Sequence, residues 1–543
     1  MPLRRLPPVP ALPSRGPASA ALPADGASFD VLVVGGGING AGIARDLAGR
    51  GLRVLLVEQD DLARHTSSSS TKLIHGGLRY LEYYEFNLVR KALAEREVLL
   101  KSAPHIMWPL RFVMPHDPSM RPVWMIRAGL FLYDHLARRE WLPGSTTVNL
   151  RQHPAGVPLK PGYRRGFVYS DGWVDDARLV VLNAVDAAAR GASVLTRCKC
   201  TAARRGPQQW QATLQPEGRP AIQVSARALV NAAGPWTGSF LREQAQQPAA
   251  KNLRLVKGSH IVVKRLFEHE HAYIFQNPDK RIIFAIPYEG EYTLIGTTDV
   301  EIQGAPESAR IDADETRYLC EQASRYFQRQ LTPADVVWSY SGVRPLLDDD
   351  SGDASAVTRD YLLDFDGDES QAPLLSIWGG KITTFRKLAE EAADGLVQRL
   401  GERRPAWTRD AHLPGGDLSA SIGAARRPDV DIARFAQALA QTLPQVPERV
   451  RARWARLYGS RVALLLPPGQ ALGAEVAPGL YEAELDYLHQ HEWARSADDV
   501  LWRRTKLGLH CSPEQRAAVA HWWQLRHGPA TAGREGNTNT ETA

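Results

Sequence analysis

The sequence predicts an α/β core joined to an antiparallel-sheet lobe and an α-helical C-terminal domain. Three observations carry that prediction. FDVLVV (29–34), GGGINGAG (35–42), IARDLAGRG (43–51) and LRVLLVE (52–58) read in order as strand, glycine turn, helix and strand, a complete βαβ unit. SHIVVKR, RIIFAIPY and YTLIGTTDV, all within 253–300, are short alternating segments that suit an antiparallel sheet. After about residue 405 the strand signals fade and amphipathic helical patterns replace them.

The elements follow in chain order. Residues 1–28 are rich in Pro, Ala and Ser and are expected to form a disordered leader. Arg4 and Arg5 precede no apolar run, so this stretch is not a secretory signal. The valine-rich run 29–34 suits a strand buried on both faces, and the helix after it stops at Gly51. SARALVNAAGPWTG (225–238) reads as a strand entering a Gly-Pro turn, and LLSIWGG (374–380) as a strand leading into the helix KITTFRKLAEEAADGLVQRL (381–400). DIARFAQALAQTL, ERVRARWARLYG and EAELDYLHQHEWA are helices of the last domain. The polar residues 528–543 form a frayed tail. The expected assembly is a discontinuous core from 29–104, 165–250 and 335–404, a second lobe from 105–164 and 251–334, and a helical domain over 405–527.

With 543 residues, 44% hydrophobic and 23% charged, the chain can bury a large core and is neither a disordered nor a disulfide-scaffold protein. No apolar stretch reaches the length of a membrane span. Lys plus Arg total 66 against 60 acids, a net charge of +6 that selects no partner by itself. Four scattered cysteines fit reduced thiols. Cys198 and Cys200 have no second metal-spaced pair, so no metal is expected.

The chemistry begins at Gly35-x-Gly37-x-x-Gly40. Gly35 permits the tight turn, Gly37 lets backbone approach a pyrophosphate, and Gly40 lets helix pack on strand. The helix start at Ile38 and Asn39 offers free N–H groups and a positive dipole end. Glu58, 18 residues after Gly40, can accept ribose hydroxyls, which favours NAD or FAD over NADP.

The fingerprint leaves NAD or FAD open, and other segments resolve it. LARHTSSSSTKLIHGGLRYLEYYEF (62–86) resembles the second nucleotide-contacting stretch of D-amino-acid-oxidase-type flavoproteins, and WGGKITT (378–384) the segment that sets a second helix N-terminus beside the flavin. A narrower resemblance rests on TSSSSTKLIHGGLRYLE, RPVWMIRAGLFLYDHL (121–136), KGSHIVV (257–263), IGTTDV (295–300), SGVRPL (341–346), TRDY (358–361), GGKITTFRKLAE (379–390) and ADDVLWRRTKLGL (497–509). In this order they resemble the FAD-dependent respiratory glycerol-3-phosphate dehydrogenases of aerobic bacteria, over roughly 29–525; the leader has no counterpart.

The resemblance implies a Rossmann-like FAD-binding core of the D-amino-acid-oxidase (GR2) type, an antiparallel-sheet substrate lobe and the helical domain. Cofactor contacts are expected from Gly35, Gly37, Ile38, Asn39, Gly40 and Glu58, from Thr66, Ser67, Ser68, Lys72, His75, Gly76 and Gly77, and from Ala233, Gly234, Gly379, Gly380, Lys381 and Thr383. FAD would be held non-covalently, so attachment at His65 is not expected. Arg79, Tyr80, Arg359 and Lys381 are implied to hold the substrate phosphate, with Arg344 at the reacting carbon. Paired cations suit this role, because a buried phosphate monoester carries nearly two negative charges.

The implied reaction oxidises C2 of sn-glycerol 3-phosphate to dihydroxyacetone phosphate by hydride transfer to flavin N5. Arg344 suits alkoxide stabilisation but not proton abstraction. His75 and His260 are the base candidates, and the sequence leaves the choice open. Electrons are implied to pass to a membrane quinone such as ubiquinone. The segment 121–139, apolar with Arg121, Arg127, Arg138 and Arg139 around it, suits an anionic membrane surface or, alternatively, internal packing. The expected location is the cytoplasmic, inner face of the cell membrane. A homodimer is compatible with the resemblance. The rival readings are an oxidase of the same substrate that uses oxygen, and an amine or amino-acid oxidase. Nucleic acid is not an expected partner, since ERVRARWARLYG and VLWRRTKLGL alternate charge with apolar positions as solvated helices do.

Overall fold

The computed structural model describes residues 22–117, 120–249, 251–279, 281–347, 360–368 and 370–528. The first strand, Ala27–Val34, lies in an eight-stranded sheet. From one edge the order is Tyr361–Asp366, Leu374–Gly379, Ile222–Asn231, Ala27–Val34, Val54–Val57 and Ser193–Leu195. The last five run parallel and the first is an antiparallel edge. Burial on both faces explains why the end of the first strand, Val31 to Val34, is apolar at every position. Val31 and Val33 face a core shared with the helices Ile38–Gly49, Asp176–Ala189 and Phe385–Arg399. Leu32 and Val34 face the other way, onto the antiparallel strands Cys198–Arg205 and Trp210–Pro216.

The second sheet has ten strands and is mostly antiparallel. Its longest pairing joins Leu253–Lys264 to Val336–Leu347. Arg165–Val174 pairs antiparallel with Met107–Pro115, and Leu73–Ile74 extends the same sheet. These ladders correct the expected lobe boundaries. Residues 165–174 and 336–347 belong to the second sheet and not to the core, because pairing partners distant in sequence leave no local signal. The leader expectation also needs correction within the described residues. Ala27 and Ser28 are already strand, and Leu22 packs against the core. Residues 1–21 and 529–543 lie outside the described residues.

The C-terminal part builds a hydrophobic core of its own from Leu418 to Trp523. Its helices include Pro428–Thr442, Glu448–Tyr458, Glu482–Glu492 and Pro513–His527, as the periodicity predicts. A small antiparallel pair, Glu475–Ala477 with Leu480–Tyr481, stands where no strand was expected.

Candidate functional site

The glycine turn sits at the end of the first strand, at the start of the helix Ile38–Gly49. Gly35 has φ +111°, and a Cβ there would lie 2.4 Å from the Ala232 carbonyl oxygen. A Cβ on Gly40 would lie 1.9 Å from the Gly35 carbonyl oxygen, so strand and helix touch through backbone. The helix has neither a side-chain cap at Gly37 nor an acid in its first turn. One donor, the Ile38 N–H, is taken by the Ser67 hydroxyl at 3.0 Å. Glu58 lies behind the turn and accepts the Gly36 N–H at 2.6 Å and the Asp60 N–H at 2.9 Å. Burial pushes its carboxyl above the usual range, against the pull of His65 and of those two N–H groups.

Four segments far apart in sequence meet here through single hydrogen bonds. Ser67 joins the hydroxyl-rich loop to the helix start. Asn39 donates to the Gly379 carbonyl at 3.4 Å, which ties the first turn of that helix to the late glycine pair. The His75 N–H donates to Thr383 Oγ1 at 3.3 Å, and Thr66 donates to the Val343 carbonyl at 2.7 Å. Gly379 and Gly380, with φ +74° and +100°, then turn the chain into a second uncapped helix start, through Ile382–Thr384 into Phe385–Arg399. Ala233 lies against Gly35, whose added Cβ would be 3.2 Å from the Ala233 Cα, and Gly234 follows it with φ +57°. Two open helix N-termini, a glycine-lined turn and an acid at the strand end fit a long dianionic dinucleotide such as FAD.

The polar residues cluster on the sheet side. The Lys381 ammonium lies 3.7 Å from the centroid of the Tyr80 ring, and Arg79 Nη2 donates to the Tyr83 hydroxyl at 3.2 Å. Arg344 is paired with Asp299 and donates to the Thr298 carbonyl at 2.8 Å. His260 is buried, stacks on Tyr340 at 4.8 Å, and places Nε2 3.0 Å from Thr71 Oγ1. Burial, then the charges of Lys72 and Arg344, hold its imidazole well below the ordinary histidine range, so it is neutral at pH 7. Its Nδ1 has no hydrogen-bond partner among the described residues. Arg359 lies outside the described residues.

Some expected contacts have other work. The Lys72 ammonium is fully buried between Asp176 Oδ1, at 2.8 Å, and the Ser68 carbonyl, at 3.1 Å. These contacts pin the loop. The Ser68 hydroxyl is 3.3 Å from the His65 carbonyl. His65 Nε2 is 2.9 Å from Asp60 Oδ2, and its ring meets Trp236 edge-on.

Sequence reading missed the acids that hold these parts. Asp299 steadies Arg344, and it lies within a motif, IGTTDV, in which only the pattern had drawn notice. Asp171 accepts from Arg96 at 2.7 Å and from the Tyr133 hydroxyl, which in turn accepts the Gly76 N–H at 2.8 Å. Nothing local in the sequence marks that chain.

Comparison with known proteins bears on the same residues. The model of the FAD dependent oxidoreductase family matches residues 30–386, and that of the C-terminal domain of alpha-glycerophosphate oxidase matches 406–525. The chain is 53% identical to a glycerol-3-phosphate dehydrogenase of Pseudomonas aeruginosa, over 92% of this chain and 96% of that one. It is 49% identical to a D-erythritol 1-phosphate dehydrogenase of Brucella abortus, over 91% and 97%. A glycerol-3-phosphate dehydrogenase from Bacillus halodurans, solved with FAD, superposes with a TM-score of 0.71 at 28% identity, covering 92% and 90%. Fold and site therefore define an FAD-dependent oxidoreductase with a D-amino-acid-oxidase-type core. Within that class the chain belongs to the glycerol-3-phosphate dehydrogenase family.

Proposed function

We propose that the protein oxidises C2 of sn-glycerol 3-phosphate to dihydroxyacetone phosphate and passes the electrons to a membrane quinone. The observation that carries the reading is the convergence of Lys381, Tyr80 and the Arg344 strand on the two glycine turns. Bound FAD supplies the hydride acceptor. The chain's residues bind and orient the alcohol. Lys381 and Arg79, with Arg359, hold the phosphate, and Tyr80 positions the Lys381 ammonium through its ring face. Arg344, fixed by Asp299, stabilises negative charge on the C2 oxygen. The hydroxyl proton passes to a histidine of this site, His75 or His260.

Membrane contact is assigned to the helix Val123–His135, on which only Leu130 and Tyr133 are buried. Trp124 is 68% exposed and Phe131 60%, with Arg127 on the same helix and Arg121, Arg138 and Arg139 beside it. No described helix is long and apolar enough to cross a membrane. Attachment at the inner face of the cell membrane agrees with these features.

A second reading, a longer polyol phosphate, is favoured by the 49% identity to a D-erythritol 1-phosphate dehydrogenase. Anaerobic addition of each substrate to the flavoprotein, followed by the flavin absorbance, tests both. Bleaching by glycerol 3-phosphate at low concentration supports the first, and no bleaching by it overturns it. Quinone-analogue reduction compared with peroxide release under air tests the acceptor.

A further inference from the structure

The motif ADDVLWRRTKLGL lies in the C-terminal domain, outside the site described above, yet its charges end on that site. Arg504 makes a two-pronged contact with Asp61, Nη1 to Oδ2 and Nη2 to Oδ1, both 2.8 Å. Arg503 Nε reaches the same carboxylate at 2.6 Å, and its Nη2 reaches Asp499 at 2.5 Å. Asp61, Asp499 and Arg504 are completely buried. Asp61 is three residues beyond Glu58, in the loop that leaves the second strand. Asp499 also binds Arg197 Nη2, at 2.8 and 3.0 Å. The backbone at Arg197 and Cys198 in turn holds the Asp60 and Glu58 carbonyls, each at 2.8 Å. The loop behind the glycine turn is thus gripped from two sides by one segment of the C-terminal domain.

The same segment reaches the second loop. Lys506 Nζ lies 3.7 Å from Asp175 Oδ1, and Asp175 caps the helix Asp176–Ala189. Arg178, one turn into that helix, is paired with Glu492 and donates to the Leu457 carbonyl, both from the C-terminal domain. Asp176 then holds the hydroxyl-rich loop. Its Oδ2 accepts from the Ser70 N–H at 3.2 Å and the Ser70 hydroxyl at 2.7 Å, and its Oδ1 accepts from Lys72. Ser67, which meets the helix start at Ile38, lies in that loop.

Buried ion pairs stabilise a fold no better than apolar packing of equal volume, but they are directional and fix the groups they join. We propose that Asp499–Lys506 is a clamp that positions the two cofactor-facing loops, Glu58–Asp61 and Thr66–Lys72, and that flavin retention is a function of the C-terminal domain. The proposal rests on the reading of Glu58 and Ser67 as flavin-facing. Arg503, Arg504 and Lys506 are positioning residues in it, with no direct contact to substrate implied.

The test uses the full-length flavoprotein with R504Q and D61N, and reads FAD release by flavin fluorescence after dilution and FAD affinity by titration of the apoprotein. Loss of a charged hydrogen-bond pair predicts release about tenfold faster or more. R504K, which keeps the charge but not the fork, should fall between wild type and R504Q. The control is E484Q, which breaks the buried contacts of Glu484 with Arg453 and the Tyr458 hydroxyl inside the C-terminal domain. It should lower the melting temperature of the apoprotein without speeding FAD release. Should R504Q not fold, K506M removes the 3.7 Å contact with Asp175 and carries the same comparison. Release unchanged in R504Q or K506M, or equally fast in E484Q, overturns the clamp. Wild-type apoprotein that binds no FAD would instead overturn the reading of the site itself.

Discussion

Replacing Gly37 by alanine separates what the turn needs from what the ligand needs. The backbone at Gly37 is extended, with φ −78° and ψ −175°, a conformation alanine adopts without strain. An added Cβ meets one atom, the Ser67 hydroxyl oxygen at 3.1 Å, which is the end of a rotatable side chain. If Ser67 swings aside, its bond to the Ile38 N–H is lost, at about 1 kcal/mol. At Gly40 the same change drives a Cβ to 1.9 Å from a backbone oxygen, where neither side can give, and overpacking of that kind costs about 3 kcal/mol. G37A apoprotein should therefore unfold in urea within about 1 kcal/mol of wild type. Its methyl group, however, would stand where a phosphate oxygen comes to backbone. Loss of a charge-assisted hydrogen bond there is worth about 2 kcal/mol, or about 30-fold in FAD affinity. Quenching of FAD fluorescence on titration into apoprotein gives the affinity, and urea curves on the same samples give the stability. Wild-type affinity in a normally folded G37A protein would refute the assignment of Gly37 to the pyrophosphate. G40A should fail in both assays.

Other expectations follow from the same geometry. K381M should raise KM for glycerol 3-phosphate by about 10- to 100-fold while the protein still binds FAD, as steady-state kinetics and the flavin spectrum would show. D299N, which removes the charge partner of Arg344, should lower kcat more than it raises KM, a split that a merely structural role would not give. W124E together with F131E should release the protein from anionic vesicles in flotation assays, yet leave activity with a soluble dye acceptor unchanged. His105 sets an acid limit on stability. Burial, then the nearby arginines, pushes its folded pKa down to about 3, while the unfolded value stays near 6.5. The unfolded chain therefore binds the extra proton as pH falls below about 6.5. Stability is full above that point and declines by about 1.4 kcal/mol per pH unit towards pH 3. Urea unfolding between about pH 6 and pH 4 should show this slope, reduced by one proton in H105Q.

The parts legible in the sequence were those whose physics is local. The βαβ unit announces itself because a strand buried on both faces must be apolar at consecutive positions, as Val31 to Val34 are. The glycines at 35 and 40 are equally plain, since a backbone-on-backbone approach leaves no other residue type. The lobe boundaries were not legible. Arg165–Val174 has the apolar character of a core strand, and only its partner Met107–Pro115 decides which sheet receives it. The partner of Lys72 was hidden for a related reason. Lys72 stands in the hydroxyl-rich loop, and the acid that pairs with it, Asp176, is 104 residues away.

The same reasoning locates the deeper gap. A sequence shows where charges are but not which ones have left water. Arg503 and Arg504 read as ordinary basic positions on a helix, and the alternation around them favoured solvated faces. Arg504 is instead completely buried, with its charge balanced by an aspartate 443 positions earlier. A net charge of +6 therefore understates how much of the molecule's electrostatics is internal. Some of its cations gather near the glycine turns, some beside the exposed apolar helix, and others join the helical domain to the α/β core. Removing a partner from a buried pair leaves an uncompensated charge, worth about 3–5 kcal/mol, whereas a surface pair is worth about 1 kcal/mol or less. Substitutions at Asp61 and Arg504 should thus be far less tolerated than those at Arg526 and Asp486, an exposed pair in the same domain.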